Sequence, residues 1–84
     1  VKVYYYGVTK NDGKMFDSAF KKGAPFTFTL GRGEVIRGWD EGIALLNKGA
    51  KATIFIPSKL AYGEKGIPGF IEPNSDLVFY VQVL

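Results

Sequence analysis

The sequence predicts an α+β domain in which a curved antiparallel β-sheet is wrapped around one short α-helix. Three observations predict it. Four separate stretches alternate apolar with polar in strand fashion. A single stretch, Gly31 to Gly49, carries helical spacing: Ile36, Trp39, Ile43 and Leu46 recur at steps of three, four and three and share one face. No strand–helix–strand repeat is visible, so the strands pair antiparallel, and the sheet's apolar face needs that helix as its cover.

The elements follow in chain order. Val1, Val3 and Tyr5 fall on one face of a strand running to Val8, with Lys2, Tyr4 and Tyr6 on the other. Asn11-Asp12-Gly13 is a turn signal that closes a hairpin-like connection, and Met15-Phe16 resumes extended structure. Asp17 to Pro25 reads as irregular and ends in Gly23-Ala24-Pro25. Phe26, Phe28 and Leu30 then alternate with Thr27 and Thr29 in a second clear strand. Gly31 and Gly33 turn the chain into the helix, whose outer side takes Arg37, Asp40, Glu41 and Asn47. Lys48 in the last turn and Gly49 beyond it read as the helix stop. Ala50, Ala52, Ile54 and Ile56 alternate with Lys51, Thr53 and Phe55 until Pro57 ends that strand. Leu77, Phe79, Val81 and Val83 alternate with Val78, Tyr80 and Gln82 in the last one. Between them lies a long connection, residues 58 to 75. Loops of that length in small domains are usually functional or disordered. Its Tyr62, Ile67, Phe70 and Ile71 gain nothing from solvent, so they rest on the body of the domain or on a ligand.

Composition narrows the chemistry. With 46% hydrophobic and 23% charged residues the chain reads as one soluble globular domain, 1–84. It opens directly on a strand-like segment, as a domain cut from a longer chain would. Seven Phe, five Tyr and one Trp either fill a small core with large side chains or line a pocket. There is no Cys and no His. That removes disulfides, thiolate nucleophiles, Ser-His-Asp chemistry and the commonest metal ligand. No run approaches transmembrane length, and no signal peptide is visible. The net charge is +3, but the basic residues are scattered and only Lys21 and Lys22 are adjacent, unlike the basic stripe of a nucleic-acid binder.

Two candidate motifs fall away. Gly31-Arg32-Gly33 resembles the start of a dinucleotide fingerprint, but Ile36 stands where the third glycine belongs. Asp12, Glu34, Asp40, Glu41, Glu64, Glu72 and Asp76 read as solvated turn or helix-surface charges, with no spacing that argues for paired-carboxylate hydrolysis. Asp17 differs, because it follows Phe16 directly and sits beside a cluster that could include Tyr5; the other reading is a loop carboxylate capping local N–H groups. The inventory is an apolar, aromatic pocket with a few hydroxyls, one carboxylate and no nucleophile. Such a pocket suits a reaction whose transition state is less polar than its ground state.

The segments Gly7 … Asp12-Gly13 … Phe16-Asp17-Ser18, Pro25-Phe26, Leu30-Gly31 … Glu34-Val35-Ile36-Arg37-Gly38-Trp39-Asp40-Glu41-Gly42, Ile56-Pro57 … Leu60-Ala61-Tyr62-Gly63 and Leu77-Val78-Phe79 run in order over essentially the whole chain. Together they resemble the FKBP-type peptidyl-prolyl cis-trans isomerase domain. The resemblance implies an enzyme that rotates Xaa-Pro amide bonds and assists protein folding; the alternative is a catalytically weak binding or chaperone module of the same fold. It implies that the substrate proline ring sits on the Trp39 indole, with walls from Tyr5, Phe16, Phe26, Val35, Ile36 and Phe79. Tyr62 and the backbone N–H of Ile36 would donate hydrogen bonds, Asp17 would face the amide, and Phe70 and Ile71 would close over the ligand. The implied partners are proline-containing peptides, unfolded proteins and macrolide inhibitors such as tacrolimus or rapamycin. No cofactor, metal or nucleic acid is expected, and the domain is expected to be monomeric, in the cytoplasm or in a bacterial periplasm or envelope. The family's first strand has no counterpart in residues 1–84. Lys22 replaces an Arg common beside Asp17, which turns a bidentate pair into a point charge. Glu72 replaces a common Pro.

Overall fold

In the computed structural model, which describes residues 1–84, the strand β1 (Lys2–Thr9) is the one on which the others assemble. Its alternation is realised: Val3, Tyr5 and Gly7 are buried, while Lys2, Tyr4 and Tyr6 face outward. Along one edge β1 pairs antiparallel with β5 (Leu77–Val83), from Val3 opposite Val83 to Thr9 opposite Leu77. Along the other edge it pairs with β2 (Met15–Ser18) and, nearer its start, with the two-residue β3 (Phe26–Thr27). The remaining strand, β4 (Lys51–Ile56), pairs with β5 alone, giving the order β2-β1-β5-β4 in a five-stranded sheet with β3 off that path.

The predicted antiparallel sheet on a short helix is what forms. That helix, α2 (Arg37–Gly42), lays Trp39 on the inner face of the sheet, with Ile43 just beyond its end. Both side chains join Val3, Tyr5, Phe28, Ile56, Ile71, Leu77, Phe79 and Val81 in one buried cluster. Each large apolar side chain so buried is worth about 1.5–3 kcal/mol, which is what a six-residue helix needs, since its own hydrogen bonds cannot sustain it. Close approach is made by absence of side chain. A Cβ on Gly38 would lie 2.5 Å from Ile56 Cγ2, so the helix can touch β4 only through a glycine. A Cβ on Gly7 would lie 2.6 Å from both Phe16 and Phe79, which lets those two rings meet across β1.

Several local expectations are corrected. The helix stops earlier than the periodicity suggests: it tightens into a 3₁₀ turn at Ile43–Leu45, and Leu46 is already extended. Gly49 is a separate turn residue at φ 89°, not the helix stop. The stretch from Asp17 is not irregular throughout. Ser18 Oγ accepts from Lys21 N–H and caps a one-turn helix, α1 (Ala19–Lys22), which Gly23 ends in the left-handed conformation. The strand expected over Phe26–Leu30 pairs as a strand only at Phe26–Thr27, although Phe28 still exchanges both backbone bonds with Val1. Thr29 N–H leaves the ladder for the carboxylate of Glu34. Finally, the long connection is ordered by its own contacts: a 3₁₀ turn at Ser58–Leu60 and a bridge between Ile67 and Ile71.

Candidate active site

Trp39 forms the floor of a cavity of about 270 Å³ between α2 and the inner face of the sheet. Three rings stand almost upright on the indole plane: Tyr5 at 87° with centroids 4.8 Å apart, Phe79 at 82° and 5.2 Å, and Phe26 at 73° and 6.0 Å. Phe16 meets Phe79 edge-on at 5.5 Å and extends that wall. Val35, Ile36 and Tyr62 complete the lining. Edge-to-face geometry is a favoured arrangement of aromatic quadrupoles, so the ring contacts that form the box stabilise one another. The indole Nε1 is buried with no acceptor.

The polar groups gather at one side. Asp17, on β2, is brought to Tyr5 on β1 by strand pairing, and the Tyr5 hydroxyl donates to Asp17 Oδ2 at 2.5 Å. Lys22 Nζ lies 3.2 Å from Oδ1, and Ser18 N–H donates to the same oxygen at 2.8 Å. Burial alone would push the Asp17 pKa up; the Tyr5 hydroxyl, the Lys22 ammonium and the Ser18 N–H outweigh it and hold it below the ordinary carboxylate value. The same burial, with the bonded carboxylate, pushes the Tyr5 phenol far above its usual value. Tyr62 is also raised, by burial first and by the Asp17 charge second. Its hydroxyl bonds to nothing in the protein, and neither does the N–H of Ile36. Two free donors and one ionised, already bonded carboxylate therefore border an apolar box.

The cavity brings together Tyr5, Phe16, Asp17, Phe26, Val35, Ile36, Trp39, Tyr62 and Phe79 of the expected residues. It does not bring Phe70 or Ile71. Ile71 is 3% exposed and belongs to the core, while Phe70 is 67% exposed, and both line a polar cleft of about 500 Å³ between the long connection and the β1–β2 hairpin. A bridge between Ile67 and Ile71 closes that end of the loop on itself, and Ile71 packs into the same core cluster as Trp39. Lys22 and Glu34 join the lining. Glu34 read as a solvated charge, and only its place immediately before Val35 hinted otherwise.

Comparison with known proteins agrees with this architecture. The family model for the FKBP-type peptidyl-prolyl cis-trans isomerase matches residues 1–84. This chain belongs to that family. It is 50% identical over its whole length to the peptidyl-prolyl cis-trans isomerase FPR2 of Saccharomyces cerevisiae, of which it spans 62%. It is 49% identical to FK506-binding protein 1 of the same yeast, covering 73% of that protein. The crystal structure of AtFKBP13 superposes with a TM-score of 0.90 at 40% identity, over 99% of this chain and 74% of that one. The chain is thus an FKBP-type isomerase domain, and cis-trans isomerisation of peptidyl-prolyl bonds is the activity that it carries.

Proposed function

We propose that isomerisation takes place in the Trp39 cavity, by desolvation of the prolyl amide rather than by proton transfer or covalent chemistry. The observation that carries this reading is the aromatic box itself: three rings at 73–87° to a buried indole. At about 270 Å³ the cavity lies just under the range of about 300–1,000 Å³ typical for drug-sized ligands, so it suits one ring and its flanking amide.

The planar amide resists rotation by about 18–20 kcal/mol because the nitrogen lone pair is delocalised into the carbonyl. Twisting ends that delocalisation and lowers the charge separation. A dry aromatic box therefore favours the twisted amide over the planar one, and that is differential binding of the transition state. The free N–H of Ile36 and the Tyr62 hydroxyl hold the substrate's carbonyl groups. Asp17, fixed by Tyr5 and Lys22, faces the amide as a charge whose position costs no reorganisation during the reaction. Lowering the barrier by about 5–7 kcal/mol corresponds to about 10⁴–10⁵-fold acceleration.

Proline-containing segments of unfolded proteins are the substrates that fit the box, and macrolides such as tacrolimus or rapamycin are the inhibitors expected to compete for it. The FK506-binding relative supports the latter. The deciding experiment is a titration of the protein with tacrolimus and with an Xaa-Pro peptide, read by indole emission and by turnover. Saturable changes in both place the chemistry at Trp39. Inhibition of turnover without any change in emission would move the site elsewhere.

A further inference from the structure

The wall opposite Tyr5 and Phe79 is a loop with an unusual hydrogen-bond pattern. From Thr29 to Ile36 no backbone N–H donates to a backbone carbonyl. The N–H bonds that the loop does make run to two carboxylates. Thr29 N–H donates to Glu34 Oε1 at 3.1 Å. Gly31 N–H donates to Asp40 Oδ1 at 3.1 Å, and Gly33 N–H to Asp40 Oδ2 at 3.2 Å. Both glycines have positive φ, 78° and 69°, a conformation that residues with a Cβ rarely adopt. A loop of this kind takes its shape from whatever accepts its donors.

Asp40 is well placed for that. It sits on α2 one residue after Trp39, and the indole is fixed by the core. Its carboxylate spans two donors two residues apart with one oxygen each. Asp40 N–H in turn donates to Ile36 O at 3.3 Å, so the residue holds both ends of the segment that carries Glu34, Val35 and Ile36. These three line the cavity, and Ile36 presents the free N–H assigned above to substrate. Asp40 itself is not part of the lining.

We infer that Asp40 is a positioning residue for the isomerisation: through Gly31 and Gly33 it references the substrate-binding loop to the same helix that carries Trp39. The inference rests on the Trp39 cavity being the active site. It makes the separation between the cavity floor and the Ile36 donor a property of one carboxylate. The residue type suits the task, because an ionised carboxylate offers one acceptor oxygen to each of the two N–H groups and brings no donor to repel them. Arg37 and Glu41, on the same helix, form an exposed pair with each other and reach neither the loop nor the cavity.

The test uses Asp40→Ala, Asp40→Asn and Asp40→Glu, with Glu41→Gln as the neighbouring control. Turnover of an Xaa-Pro peptide is measured with kcat and KM separated, together with amide NMR signals of Gly31, Gly33 and Ile36. Asp40→Ala is expected to lower kcat/KM about tenfold, as loss of one or two hydrogen bonds to a charged group does when they act on a donor used in binding. Asp40→Asn places an amide NH₂ against a backbone N–H and is expected to rescue little. Asp40→Glu keeps both acceptor oxygens and is expected to restore most of the activity, while Glu41→Gln leaves it unchanged. In the wild type the peptide should shift the Ile36 amide, and in Asp40→Ala that shift should shrink. If Asp40→Ala lowers the urea midpoint but its folded fraction retains the wild-type kcat/KM and peptide-induced shift, the role is structural and the inference is overturned. If the peptide fails to shift Ile36 even in the wild type while turnover persists, the cavity assignment fails, and this inference falls with it.

Discussion

The Tyr5 hydroxyl donates to Asp17 Oδ2 at 2.5 Å, joining adjacent antiparallel strands at the rim of the aromatic box. Tyr5 also stands at 87° on the Trp39 indole, so one side chain serves as wall, as donor and as the link between floor and carboxylate.

Replacing Tyr5 by Phe keeps the wall and removes the donor. The Asp17 pKa should then rise from its depressed value, because burial is no longer opposed by the phenol. A chemical-shift titration of the Asp17 carboxylate in both proteins measures this directly. An unchanged Asp17 titration would mean that Lys22 and the Ser18 N–H set its state without the phenol.

Asp17→Ala and Tyr62→Phe should each lower kcat/KM by an amount equivalent to about 1–2 kcal/mol, the scale of one polar contact made in the transition state. Asp17→Ala also leaves the Tyr5 hydroxyl without its acceptor. Its folding midpoint should therefore fall, whereas that of Tyr62→Phe should hardly move, since the Tyr62 hydroxyl bonds to nothing in the protein. Full specific activity in a folded variant would remove that side chain's polar group from the catalytic machinery.

Activity should be insensitive to pH over about 6 to 8.5, because the chain has neither His nor Cys and no side chain ordinarily titrates there. The perturbed groups strengthen the expectation. Asp17 and Asp12 are lowered, so both are ionised throughout that range. Tyr5 and Tyr62 are raised, so both remain neutral. The signs also fix where stability is lost. The Asp17 contribution is fully present above its ordinary value of 3.8 and disappears as the pH falls through its lower folded value. The tyrosine contribution is fully present below 10.0 and declines as the pH rises past it. A bell-shaped kcat/KM profile between about pH 6 and 8.5 would reveal a general acid or base and remove the desolvation mechanism.

Gly38→Ala should destabilise the domain. Alanine gains up to about 1 kcal/mol of helix propensity over glycine, but overpacking a core costs about 1–3 kcal/mol. The new methyl would meet Ile56 at 2.5 Å, and Ile56 is among the most buried side chains, so the collision decides the sign. Urea denaturation reads the change as a lower midpoint with an unchanged slope. A midpoint at or above wild type would show that α2 can move off β4 without penalty.

Periodicity made the sheet legible because it is a local property. Alternation identified β1, β4 and β5 with the correct inner faces, and Asn11-Asp12-Gly13 identified the hairpin, whose Gly13 has φ 66°. The apolar spacing through Trp39 identified α2 but overran its end. Ile43 remains on the buried face whether the backbone is α-helical or 3₁₀, so burial alone could not reveal the change. The one-turn α1 was missed because its signal is a single capping serine, Ser18, with no periodic face behind it.

By itself the sequence determined the fold class, the inner face of each long strand, the absence of acid–base side chains near neutral pH and, through its resemblance, the family. The tertiary structure alone decided how the site is held. The upright rings depend on Gly7 letting Phe16 and Phe79 meet, the state of Asp17 depends on a phenol twelve residues away, and the Ile36 loop depends on Asp40, which read as a surface charge. It also decided that Ile71 packs into the core and that Phe70 is exposed along a cleft other than the Trp39 cavity. The physical reason is common to all of these. A side chain's hydrophobicity is written at its own position, but the partner of a hydrogen bond or the neighbour of a ring is fixed only when strand pairing and helix docking bring distant positions together.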